Sequence, residues 1–100
     1  MPSSANGDGT FRIGFSGAVS AEALRLQRQA TREGRGLAFT KAFRKIVRRL
    51  GTDPRNFGDP NYRLPVLRLQ LRCAVVPPLV VYFAVSDDRP EVYIKALKLI

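Results

Sequence analysis

The sequence predicts an α+β fold in two layers: an N-terminal strand, a two-helix hairpin, then a three-stranded antiparallel meander. Three hydrophobic patterns predict it. Apolar residues recur at helical spacing from Phe39 to Leu50, at a spacing of two in Leu67, Leu69 and Leu71, and without a break in LVVYFAV (79–85). Apart from one strand at the start, the helical patterns come first and the strand patterns follow, which segregates helices from sheet. A chain of 100 residues holds one domain with one modest core, placed at residues 10–100. Residues 1–9, MPSSANGDG, have neither the basic nor the apolar region of a secretory signal and are expected as a disordered tail.

The first strand is TFRIGF, where Phe11, Ile13 and Phe15 alternate with Thr10, Arg12 and Gly14. Ser20 is the expected N-cap of a helix over residues 21–33, with a thin stripe from Ala23, Leu24, the Gln27 stem and Ala30. Gly34 and Gly36 interrupt it. The second helix carries Phe39, Ala42, Phe43, Ile46, Val47 and Leu50 on one face and Lys41, Arg44, Lys45, Arg48 and Arg49 on the other. Gly51 is the expected left-handed stop, and Pro54 prevents continuation.

Between this helix and the next strand lies GTDPRNFGDPNYRLP. Its prolines Pro54, Pro60 and Pro65 and its apolar Phe57, Tyr62 and Leu64 predict an ordered connection packed on the core. In the strand over residues 66–72, Leu67, Leu69 and Leu71 face one way and Arg68, Gln70 and Arg72 the other. The chain turns at CAVVPP and runs through the buried central strand over residues 79–85. It turns again at SDDRP, and EVYIKALKLI closes the chain as a strand, its VYI core outweighing its helix-favouring Ala, Leu and Lys.

The charge is lopsided: seventeen Lys and Arg against eight Asp and Glu, a net of +9. Such a surplus points to an anionic partner. Lys41, Arg44, Lys45, Arg48 and Arg49 are the candidate nucleic-acid-binding residues. A solvated helix face needs charge of some sign as well, and both readings of these residues stand. With no histidine and a single cysteine, Cys73, the chain lacks a zinc set, a Ser/His/Asp triad and an internal disulfide. Cys73 is expected as a small core residue. No metal, cofactor or membrane partner is expected, no apolar run is long enough for a membrane span, and a cytoplasmic location is expected. Any catalysis has to use Lys, Arg, Tyr or a carboxylate.

The segments AFRKIVRRLGTDPRNFGDPNYRLP, LRLQLR and LVVYFAVSDDRPEVYI resemble the RelE/ParE toxin superfamily of bacterial type II toxin–antitoxin systems. The resemblance covers about residues 10–100. It implies a small sheet under two helices, an antitoxin protein as partner, and either ribosome-dependent, metal-free mRNA cleavage or poisoning of gyrase. The family's basic strand positions fall on Arg68 and Gln70, with Arg72 on the same face, and its next arginine falls near Val80. Gln70 and Val80 carry no charge, so the implied nuclease set is incomplete. Arg68, Arg72 and Tyr93 are the candidate catalytic residues, acting by stabilising charge on the scissile phosphate. The alternative is a non-enzymatic basic domain that uses the same fold to bind protein or RNA.

Overall fold

Strand β4 (Leu79–Ser86) is central, and nearly every residue in it is buried. Its place follows from its composition, because an unbroken apolar run needs cover on both flanks. In the computed structural model, which describes residues 10–100, β4 pairs antiparallel with β3 (Leu69–Val76) and β5 (Glu91–Leu99). Beyond β3 lies β2 (Asp59–Leu64), antiparallel, and beyond β5 lies β1 (Arg12–Phe15), parallel. The five-stranded mixed sheet has the order β1-β5-β4-β3-β2. Helices α1 (Gly17–Arg32) and α2 (Gly36–Thr52) cover one face.

The core lies between that face and the helices. Leu26 and Ala30 of α1 and Phe39, Ala42, Ile46 and Leu50 of α2 meet Val81, Phe83 and Val85 of β4 and Val92, Ile94 and Leu97 of β5. Burying each large aliphatic or aromatic side chain here stabilises by roughly 1.5–3 kcal/mol. The alternation of β4 sends Val80, Tyr82 and Ala84 to the opposite face, which neither α1 nor α2 covers.

Several expectations are corrected. Helix α1 begins one turn early, because Ser16 and not Ser20 caps it: Ser16 Oγ accepts the Val19 N–H at 3.2 Å. Its inner stripe is accordingly Val19, Ala23, Leu26 and Ala30, and Leu24 is exposed. Gly51 does not stop α2. It is helical, its carbonyl accepts the Phe11 N–H at 2.7 Å, and the last turn closes with Asp53 N–H to Arg49 at 2.8 Å. The connection is ordered and Phe57 packs in the core, but Tyr62 is exposed rather than packed there, and the segment holds strand β2 and two 3-10 turns, Pro54–Asn56 and Pro65–Leu67. The meander therefore has four strands rather than three. Residues 66–68 are not strand, since β3 starts at Leu69. Cys73 pairs with Tyr82 on the uncovered face and is half-buried, outside the core. The expected tail at residues 1–9 lies outside the described residues. Among those described, no helix is long and apolar enough to cross a membrane.

Candidate functional site

Arg72 of β3 pairs with Phe83, on the same face as the core. An arginine there needs its head out of the apolar layer, and the chain supplies acceptors. Arg72 Nε donates to the Phe57 carbonyl at 2.9 Å and Nη2 to the Gly58 carbonyl at 2.9 Å. The close approach of this loop to β3 requires glycine. Gly58 has φ +71°, and a Cβ there would lie 2.3 Å from the Cys73 carbonyl oxygen. Phe57 is buried and stacks on Phe83 at 5.7 Å between ring centroids, which pins the loop.

Two further arginines converge on the same place. Arg55, on the first 3-10 turn, donates from Nη2 to the carbonyls of Ser86 at 3.0 Å and Arg89 at 3.3 Å. Its guanidinium lies over the Phe11 ring at 4.9 Å. Arg63 of β2 stands opposite Gln70 in the β2–β3 pairing. It donates to Gln70 Oε1 at 3.2 Å and forms an ion pair with Asp87. Together Arg55, Arg63, Gln70, Arg72, Val85, Ser86 and Asp87 line a cleft of about 250 Å³.

The cleft is positive by construction. Backbone carbonyls orient Arg55 and Arg72 without neutralising them, and among the lining residues Asp87 is the one carboxylate. The C-terminal end of α2 approaches the neighbouring loop through Arg49. Lys41, Lys45 and Arg49 are spaced four apart and share one side of the helix, with Arg44 and Arg48 beside them. The Arg49 guanidinium lies 4.8 Å from the Phe57 ring centroid, against the residue whose carbonyl holds Arg72. Of the basic residues of α2, Arg49 is the one whose contacts tie the helix to the loop beside the cleft.

Arg68, Arg72 and Tyr93 are not brought together. Arg68 sits at the end of the second 3-10 turn with φ 54°, so it shares no strand face with Arg72. Its carbonyl accepts the Asp87 N–H at 2.9 Å, and its guanidinium reaches Asp88 at 3.4 Å. Tyr93 lies on the uncovered face opposite Ala84, and its hydroxyl donates to Glu91 Oε1 at 2.6 Å. That hydrogen bond raises the phenol above its ordinary pKa, which opposes a role as a base. Gly14 leaves room for the ring: a Cβ there would lie 3.1 Å from Tyr93 Cδ1. Tyr82 is on the same face beneath Lys98, 5.4 Å from its ring centroid, and Val80 is buried.

Arg55, Arg63 and Asp87 are absent from the sequence-derived candidates. A signal for them exists only once β2 is known, because its pairing sets Arg63 beside Gln70 and two residue pairs from Arg72. Among the described residues no cluster of Asp, Glu and Cys could hold a metal ion. No protein-family model, curated protein or solved structure matches the chain.

Proposed function

We propose that the protein binds nucleic acid, RNA in the first instance, through its phosphate backbone and without cleaving it. The observation that carries this reading is the convergence of Arg55, Arg63 and Arg72 in one cleft next to Arg49 of the basic helix. Guanidinium forks suit phosphate oxygens. The separation of Arg68 and Tyr93 from that cleft argues against a nuclease set. The choice of RNA rests on the family resemblance.

Binding of a labelled single-stranded RNA, followed by fluorescence anisotropy at several salt concentrations, tests the reading. Each phosphate neutralised adds about 0.7 to the slope of log K against log salt for single strands. Arg55→Ala is expected to weaken binding uniformly across sequences and to reduce the slope by about one contact's share. Affinity that ignores both salt and Arg55 would end the reading.

The toxin reading stands second, supported by the element order of strand, two helices and antiparallel meander together with the motif resemblance. It adds an antitoxin as partner and the ribosome with its mRNA, or gyrase, as target. The uncovered sheet face carries Tyr62 and Val75, both more than half exposed, for such a protein partner. Growth arrest on induction, relieved by a small protein encoded alongside, supports it. Harmless induction removes it.

A further inference from the structure

We propose that the arginine cleft seats a terminal phosphate monoester of a nucleic-acid strand, with Asp87 occupying the place of that phosphate until it arrives. The proposal rests on the nucleic-acid reading and narrows its ligand. Its first support is charge. Three guanidiniums against one carboxylate leave a surplus of two positive charges in the cleft. A terminal phosphate carries about −1.5 to −2 at pH 7, whereas a phosphodiester within a strand carries a single negative charge.

The second support is the state of the donors. Arg72 is bonded through Nε and Nη2 and Arg55 through Nη2, all to main-chain carbonyls. Among the described residues, Nη1 of both side chains has no protein acceptor. These guanidiniums are held in place with donors and full charge to spare. Capping carbonyls accounts for each of them singly, but not for their meeting Arg63 around one cleft.

The third support is Asp87. Its backbone N–H is bonded to the Arg68 carbonyl at 2.9 Å, which fixes the β4–β5 turn against the 3-10 turn before β3. The carboxylate then pairs with Arg63 at the cleft wall. A carboxylate on a guanidinium presents two anionic oxygens, as a phosphate does. An arriving dianion displaces it from Arg63, so the carboxylate weakens binding of singly charged groups.

The test uses one short RNA sequence with hydroxyl ends, with a 5′-phosphate and with a 3′-phosphate, and inorganic phosphate as a separate probe by calorimetry. At least one phosphorylated strand is expected to bind about tenfold tighter than the hydroxyl-ended strand, and the two arms identify which end is held. Arg63→Ala, which loses only its bonds to Gln70 and Asp87, should abolish that preference. Asp87→Asn should tighten the phosphorylated strand several-fold. Equal binding of all three strands overturns the terminal-phosphate assignment while leaving RNA binding intact. Binding of inorganic phosphate that needs Arg63, without binding of any strand, overturns the RNA reading and keeps the phosphate site. Unchanged or weaker binding by Asp87→Asn overturns the role of the carboxylate.

Discussion

Gly58 and Gly34 share a left-handed backbone but not a neighbourhood, and comparing them isolates what the cleft demands of one residue. Gly34 has φ +76° and nothing within 4 Å of the point where a Cβ would sit, whereas at Gly58, with φ +71°, a Cβ would collide with Cys73 and Ala74 of β3. Gly34→Ala is expected to cost about 1–2 kcal/mol, the penalty of the left-handed region for an L-residue. Gly58→Ala carries the same penalty and a steric clash with main chain, so its loss in urea unfolding should be clearly larger. It should also move the Phe57 and Gly58 carbonyls off Arg72 and weaken anion binding. Equal losses at the two positions would show that the loop is free to lift from β3.

At the scale of an element, Ser16 is the test of where α1 begins. Ser16→Ala removes the side-chain acceptor for the Val19 N–H and should destabilise by about 1 kcal/mol in denaturant unfolding, with Ser16→Gly costing only a few tenths. Ser20→Ala, inside the first turn, should cost nothing, since alanine is the better helix former. The elements with a strong period were legible: the stripe of α2, except for the exposed Val47, and the apolar run of β4 are where their spacing put them. β2 was hidden, because Pro60 and Asn61 read as turn residues. An edge strand tolerates a proline, and the pairing is irregular between Pro60 and Tyr62. Arg68 was misplaced because the Leu67–Arg68–Leu69 alternation continues a strand pattern through what is a left-handed turn. The cleft was illegible for a related reason. Its arginines sit on a 3-10 turn, an edge strand and an inner strand, and the β2–β3 pairing that joins two of these is not written in any local pattern.

For the whole molecule the governing fact is net charge, and acid exposes it. Glu91, Glu33 and Glu22 are held below the ordinary carboxylate value near 4.5, through hydrogen bonds from Tyr93, Arg35 and Arg25 respectively. A carboxylate whose pKa is lowered in the folded state binds fewer protons there than in the unfolded chain. Its stabilising effect is therefore complete above about pH 4.5 and lost as pH falls through the lowered value. Glu33 is exposed, Glu22 and Glu91 are half-buried at the surface, and solvent screening keeps each effect small. The larger acid effect is collective: with all eight carboxylates neutral, the seventeen Lys and Arg stand unopposed and the net charge climbs from +9 to +17. Like charge destabilises the compact state. Salt then separates the two contributions. Raising it from about 0.01 M to about 0.15 M shortens the screening length from about 30 Å to about 8 Å. Near pH 7 this weakens ion pairs such as Arg12–Glu91 and Arg63–Asp87 while relieving repulsion, and the two changes oppose each other. Acid removes carboxylate charge, so toward pH 3 repulsion becomes the larger part of what salt screens. The thermal midpoint, followed by circular dichroism, should therefore rise with salt far more at pH 3 than at pH 7. A midpoint that falls with salt at pH 3 would mean that attraction, not self-repulsion, dominates the acid state.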